Sequence, residues 1–495
     1  MSSEPATKMW SGRFREPVNV AFESWQRSFT FDVRLLAQEL AASKAHASMI
    51  AAAGVLADSE LTAMLDGLDR IPLSALTEAN KFVNLDILRE VYKTQRPGAE
   101  FAMGSMPHIV TLNPQAEDIH HFVELQLTKL IGDLALKLHT GRSRNEQIAT
   151  DMRLFVREAI DEIVAGMRNW YLALIELATS SGEAVMPSYT HLQRAEPVLV
   201  AHWLFAYVSM IERDISRLMD ARKRMNLCPL GSGAVAGATL ALDRTIAARE
   251  LGFDGPTPNS IDATSDRDFM LEFTQCLVTV GVHISRFAGE MTLYSTAEFG
   301  FLDLPEAFST GSSAMPQKKN PDFTELLRGK SARLIGAATT LSVLMKGLPL
   351  AYNKDLQEGQ EAVFDAADTA TGMLAILPAF TRSLKFNFER MRTAATTGYL
   401  NAMAAATYLS SKGVPFRKAH EIIGHAVRLG LESGRELNDL KLEELCGLSD
   451  AFAEDFFAAI TLEATLDCHD VVGGTARHHV AKALAAAKAK LGENS

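Results

Sequence analysis

The chain has 495 residues, 47% of them apolar and 22% charged, enough for a large core and unlike disordered, collagenous or low-complexity chains. Its 60 acidic residues against 49 basic ones leave a net charge of -11, which argues against nucleic acid as a partner. Four scattered cysteines, Cys228, Cys276, Cys446 and Cys468, form no CxxC pair and point to a reduced, cytoplasmic protein. The opening MSSEPATKMW carries no basic-then-apolar leader, and the apolar stretch from Leu334 is interrupted by Lys346, so neither export nor membrane insertion is expected.

In chain order, short amphipathic segments come first: Arg34 to Ala53, closed by Gly54, and Asp58 to Arg70, closed by Pro72. From Asn84 to Asn113 turn formers mix with scattered apolar residues, the pattern of a long loop or insertion. Ile148, Met152, Phe155, Ala159, Ile163, Met167, Trp170, Leu174 and Leu177 then mark one face of a helix of about 30 residues, roughly 45 Å long. Between Pro197 and Pro229 there is neither proline nor glycine, and Val200, Leu204, Val208, Ile211, Ile215 and Leu218 repeat the same spacing. Further long helices are expected at about 265 to 299, 321 to 347 and 354 to 381. Five such helices can bury their wide apolar faces only by lying side by side. After about 397 the helices shorten, with breaks at Gly413, Gly430, Gly434 and Gly473-Gly474. The expected fold is all-α: a central long-helix bundle, 141–396, between an N-terminal helical domain, 1–140, and a small C-terminal one, 397–495.

Three motif matches fail on spacing or context. His420 and His425 in HEIIGH are five apart, about 140° out of phase on a helix, and cannot share a metal. Gly329-Lys330-Ser331 lacks the earlier glycine of a phosphate-binding loop and has no buried strand before it. Gly231, Gly233 and Gly237 follow no strand and read as a tight turn between helices, with close backbone approach.

Three other stretches hold more chemistry than structure requires. His139 to Asn145, HTGRSRN, gathers two arginines, two hydroxyls and an amide before a helix, where guanidinium forks and the helix dipole favour a carboxylate; a plain capping loop has no use for both arginines. Ser188 to Arg194 places His191 in a polar loop, where an imidazole can move a proton, although a lone histidine is more often structural. In GSSAMPQKKNPD, Gly311 to Asp322, Asn320 and Pro321 suit a helix cap and first position. Capping leaves two serines and two lysines unexplained, and these suit proton abstraction next to a carboxylate, where a developing dianion needs fixed positive groups.

The last stretch resembles the signature loop of the fumarase/aspartase superfamily, and its Lys-Lys-Asn after Pro-Gln resembles the argininosuccinate lyase branch. So do HTGRSRNEQIATDMRLF at 139–155, YTHLQRAEPV at 189–198, PLGSGAVAG at 229–237, ATSDRDF at 263–269 and YNKDLQEGQEAVFD at 352–365. The likeness runs from Trp10-Ser-Gly-Arg-Phe14 to Gly473-Gly-Thr-Ala-Arg477 in the same order and spacing. It implies β-elimination of N-(L-arginino)succinate to L-arginine and fumarate, with no cofactor and no metal, by a homotetramer whose active sites are shared between subunits. By the same resemblance Ser312 is the base, Lys318 and Asn320 steady the dianion, and His191, oriented by Glu325, is the acid; the opposite assignment of Ser312 and His191 stays open. Ser28, Asn145, Thr190, Tyr352 and Gln357 match substrate-binding positions, and Arg144 and Arg267 are further anion contacts. Two departures stand out: the longer 84–113 segment, and Gln360 where the family has a substrate-binding lysine. A sister enzyme such as adenylosuccinate lyase would need a phosphate and purine site. An inactive crystallin-like relative would be expected to lack part of the catalytic set, and all of Ser312, His191, Lys318 and Asn320 are present.

Overall fold

The computed structural model describes residues 16–80 and 115–492. Trp10 to Phe14 and the 84–113 segment lie outside them. The described chain is helical, and five helices dominate: Arg144–Ser180, Val200–Arg224, Asp268–Tyr294, Asp322–Met345 and Glu358–Ser383. Each stands where the apolar spacing puts it. In Val200–Arg224 the stripe Val200, Leu204, Val208, Ile211 and Leu218 is buried, and Arg222, Lys223 and Arg224 complement the negative end of the helix dipole. Each such side chain contributes about 1.5–3 kcal/mol on leaving water. Lys354–Ser383 is long and apolar enough to cross a bilayer by composition alone, yet 61% of its most apolar window is buried inside the fold, as in a core helix.

The chain divides into two compact units. One comprises residues up to Glu158, Arg222–Leu271 and Thr340–Val363. Its core joins Met49, Leu154, Cys228, Leu230, Ala247 and Phe253. Leu36–Ala52 ends as expected at Gly54, which takes φ +81°. The next helix does not stop at Pro72 but runs Asp58–Asn80. A proline removes one N–H donor and crowds one carbonyl, which weakens a helix locally without forbidding the ladder beyond it.

The other unit comprises Ala159–Ala221, Glu272–Thr339 and Phe364–Ser495. Trp170, Phe287 and Phe380 meet edge to edge at its centre, with Trp170 Nε1 donating to Thr381 Oγ1 at 3.1 Å. Asp214, buried on an apolar helix face, is matched by His283 Nδ1 at 2.6 Å and Arg217 at 2.9 Å. A second apolar cluster, around Leu409, Ile423, Leu437, Leu445 and Phe456, holds the shorter C-terminal helices.

The sheet content is three two-stranded antiparallel ladders among the described residues. One of them corrects the sequence reading: the segment around His191, expected as a loop, is a hairpin of Val185–Thr190 and Gln193–Leu199, with a register shift between Pro187 and Tyr189. His191 and Leu192 form its turn at φ +54° and +57°. This is the positive-φ geometry that two-residue hairpins favour, here without the usual Asn-Gly. Gly329-Lys330-Ser331 lies inside the Asp322–Met345 helix, where Ser331 Oγ donates to backbone carbonyls.

Candidate active site

In the first unit the HTGRSRN stretch ends on the start of the Arg144–Ser180 helix. Ser143 Oγ accepts from Asn145 N at 3.3 Å while Glu146 Oε1 accepts from Ser143 N at 3.2 Å, a reciprocal cap. The other oxygen of Glu146 accepts from Gly233 N at 2.6 Å, which draws the glycine-rich turn onto the helix start. Gly231, Gly233 and Gly237 all have positive φ, and a Cβ on Gly233 would sit 2.7 Å from Gly237 O. That close approach is what the sequence reading assigned to these glycines. Burial pushes the Glu146 carboxyl up to about 7 against these hydrogen bonds. Together the two loops wall a cavity of about 620 Å³ lined by His139, Arg142, Arg144 and residues 233–239.

The two arginines of this loop have different surroundings. Arg142 is buried, donates to Ser43 Oγ at 2.8 Å and stands 4.0 Å from Glu39 Oε1. Arg144 is only partly exposed and already meets Asp118 at 2.9 Å and Glu117 at 3.8 Å, so part of its charge is spent before any ligand arrives. Asn145 donates to Ala234 O at 3.2 Å.

The same unit holds Ser28, Arg267, Tyr352, Gln357 and Gln360. Ser28 is buried and donates to Asp32 Oδ2 at 2.6 Å. Burial, reinforced by Asp118, raises the Asp32 carboxyl to about 7. Arg267 is buried, donates to Asp266 O at 2.7 Å, and is lowered to about 10 by that burial. Burial raises the phenol of Tyr352, with Arg267 opposing, and Ala351 before it is held at φ +66°. Gln357 donates to Gln26 O at 3.1 Å. Gln360, in the first turn of Glu358–Ser383, is 4% exposed and its Oε1 accepts no hydrogen bond from any described residue. At this depth a neutral amide costs less to bury than the lysine expected there.

The second unit holds Thr190, His191, Ser312, Lys318, Asn320 and Glu325. Thr190 ends one hairpin strand and His191 stands exposed at the turn, with Tyr189 packed against Tyr294, Phe299 and Phe301 behind it. A cavity of about 630 Å³ lies alongside, lined by Tyr189, Leu192, Arg194, Phe299, Phe301 and Arg390 among others. Ser312 to Lys318 is a loop closed at its neck by the pairing of Thr310–Gly311 with Lys319–Asn320. Ser312 Oγ accepts from Ala314 N at 3.2 Å and Met315 N at 3.1 Å. Two N–H groups aimed at one oxygen favour its anionic form. Lys319 is tied to Asp303 and to Leu304 O at 2.8 Å, whereas Lys318 is exposed and makes no ion pair among the described residues. Asn320 belongs to the strand pair, and the helix takes its first bond at Pro321, Glu325 N donating to Pro321 O at 3.0 Å. Glu325 is exposed, 4.0 Å from Arg328, and no hydrogen bond joins it to His191 within the chain.

The sequence reading missed the acids beneath these residues: Asp32 under Ser28, Asp118 on Arg144, and Glu146 between the two loops. Only the Ser-x-x-Glu spacing of Ser143 and Glu146 carried a signal.

Comparison with known proteins gives the same picture. A lyase family model matches residues 12–336, and a model of the argininosuccinate lyase C-terminal region matches 399–467. The chain is 58% identical over 486 residues to the argininosuccinate lyase of Acidobacterium capsulatum, covering 98% of this chain and 95% of that protein. It is 54% identical over 484 residues to that of Koribacter versatilis, covering 98% and 97%. Among solved structures, EDDS lyase in complex with formate superposes with a TM-score of 0.75 at 25% identity over 94% of this chain and 90% of that one. The 3-carboxy-cis,cis-muconate lactonizing enzyme of Pseudomonas putida gives 0.68 at 19%, over 95% and 99%, a likeness of fold. With near-complete coverage in sequence and a mainly helical lyase fold in three dimensions, the chain belongs to the argininosuccinate lyase family.

Proposed function

We propose that the chain splits N-(L-arginino)succinate into L-arginine and fumarate, by abstraction of the proton beside a succinyl carboxylate and loss of the guanidino group. The Ser312 loop is the observation that carries this mechanism. Its two backbone N–H groups stabilise an oxygen that has given up its proton, and Lys318 stands ready for the carboxylate that takes up the developing charge. His191, exposed on its strained turn, gives a proton to the departing nitrogen. Asn320 steadies the dianion, while Ser28, Arg144, Asn145, Thr190, Arg267, Tyr352, Gln357 and Gln360 hold the substrate.

We propose further that these groups complete one another in a cytoplasmic homotetramer, in which Glu325 of one subunit orients His191 of another. Exposed apolar residues on three of the long helices, Leu326, Ile335, Val282 and Ile376, support lateral association of those helices. The division at 140 and 396 into a central bundle with two smaller flanks belongs to this proposal. The test is the ultraviolet absorbance of fumarate: argininosuccinate should release fumarate and arginine in equal amounts, and adenylosuccinate and aspartate should give none. Absorbance growth with adenylosuccinate instead would assign the sister reaction, and silence with all three would indicate a chain that has lost catalysis.

A further inference from the structure

The Arg144–Ser180 helix carries an acid within its buried face. Asp151 lies between Ile148 and Met152, is 0% exposed, and neither of its carboxyl oxygens accepts a hydrogen bond from a described residue. The nearest cation, His120 Nδ1, is 3.7 Å away and already bonded to Glu39 Oε2 at 2.8 Å. Glu39, equally buried, is treated oppositely. Its Oε1 accepts from Ser43 Oγ at 2.7 Å and Gln147 Nε2 at 3.0 Å, with Arg142 Nη1 at 4.0 Å. The imidazole nitrogen and carboxyl oxygens of Glu39, His120 and Asp151 lie within 4.8 Å of one another. A buried carboxylate with no donor is costly, whereas a neutral carboxyl owns a donor of its own and can turn it toward Glu39.

We propose that Asp151 is held as a neutral carboxylic acid sharing its proton with Glu39, so that the two carboxyls hold one proton between them and, with His120 on Glu39, position the loop carrying Arg144 and Asn145. The connection to that loop is direct: Glu39 accepts from Ser43, Ser43 accepts from Arg142, and His46 Nε2 meets Thr140 O at 3.0 Å. The groups facing Asp151 are Glu39 on Leu36–Ala52, His120 on Ile119–Ile131, Arg142 on the loop and Asp32 ahead of them. Burial raises Asp151 well above the ordinary carboxylate range, and neighbouring Glu39 adds to it. Burial also opposes the charge on Glu39, but His120, Arg142 and Ser43 outweigh it and hold that carboxyl at about 2. The link to substrate rests on the function proposed above. The protonation state does not, and its test needs no activity.

The unfolded chain releases the Asp151 proton near pH 4, while the folded chain keeps it. Stability owed to this group is therefore full below about pH 4 and falls as pH rises toward the folded pKa. Asp151→Asn in the full-length protein keeps the donor and lacks this slope. Its Tm relative to wild type should therefore rise between pH 5 and pH 8, by about tenfold in the folded-to-unfolded ratio per pH unit at most. At pH 7 its KM for argininosuccinate should stay within about threefold of wild type. Glu39→Gln removes the counter-charge of His120 and Arg142, and should lower both Tm and affinity far more. If Asp151 is ionised instead, Asp151→Asn strips a counter-charge, its Tm falls at pH 7 to the level of Glu39→Gln, and the proposal fails. Should the Asn variant not fold, infrared spectra of wild type labelled with 13C-aspartate decide. A protonated aspartyl C=O band that persists at pH 8.5 and is kept in Asp32→Asn supports the proposal; its absence, or a stoichiometric metal ion on elemental analysis, overturns it.

Discussion

Ser312→Ala is expected to lower kcat by about 10²–10⁴-fold, the range lost when a positioned proton-transfer group is deleted, while KM moves by less than about tenfold. Alanine keeps the loop backbone and its strand-paired neck, so the N–H groups of Ala314 and Met315 stay in place with no oxygen to receive them. The loss falls on the transition state because the deprotonated Ser312 oxygen takes the substrate proton there and does little to hold the ground-state substrate. Lys318→Met provides the contrast. Its charge meets a carboxylate present throughout the reaction, so both kcat and KM should suffer. Steady-state kinetics on the two variants checks the distinction: retention of more than about a tenth of wild-type kcat by Ser312→Ala would remove serine from the role of base, and damage to kcat alone in both would erase the difference.

The architecture was legible where the physics is periodic. A helix that must bury one face repeats every 3.6 residues, and Val200 to Leu218 shows that repeat without interruption. The hairpin at 185–199 was not legible. Pro187 and Pro197 sit opposite each other in it, where proline normally argues against a strand, and its turn is built from His191 and Leu192 rather than glycine and asparagine. Pro72 misled in the other direction, since a boundary was expected where the helix continues.

The candidate site was legible as linear clusters: HTGRSRN and GSSAMPQKKNPD concentrate charge and hydroxyls within a few residues. What they rest on was not. Glu39, Asp151 and Glu146 are single acids within helical segments, and nothing local distinguishes a buried acid from a solvated one. Arg142 and Arg144 look equivalent in sequence, yet one is packed on Ser43 and the other faces Asp118. Their difference is set by tertiary burial, which spacing does not encode.

We propose that His191 and Ser312 of one active site come from different subunits, so that the site is complete only when subunits pool their residues. Complementation of two inactive variants tests it most directly. Ser312→Ala and His191→Asn chains are each expected to be nearly silent. Mixed by co-expression or by joint refolding, they should regain activity if the two residues of a site come from different subunits. In randomly mixed closed tetramers about half of the sites draw an intact serine and about half of those an intact histidine, so recovery should approach roughly a quarter of wild type. If one subunit supplies both residues, every site keeps a lesion. Zero recovery from mixed tetramers, with each parent shown to be folded and tetrameric, would contradict the shared site.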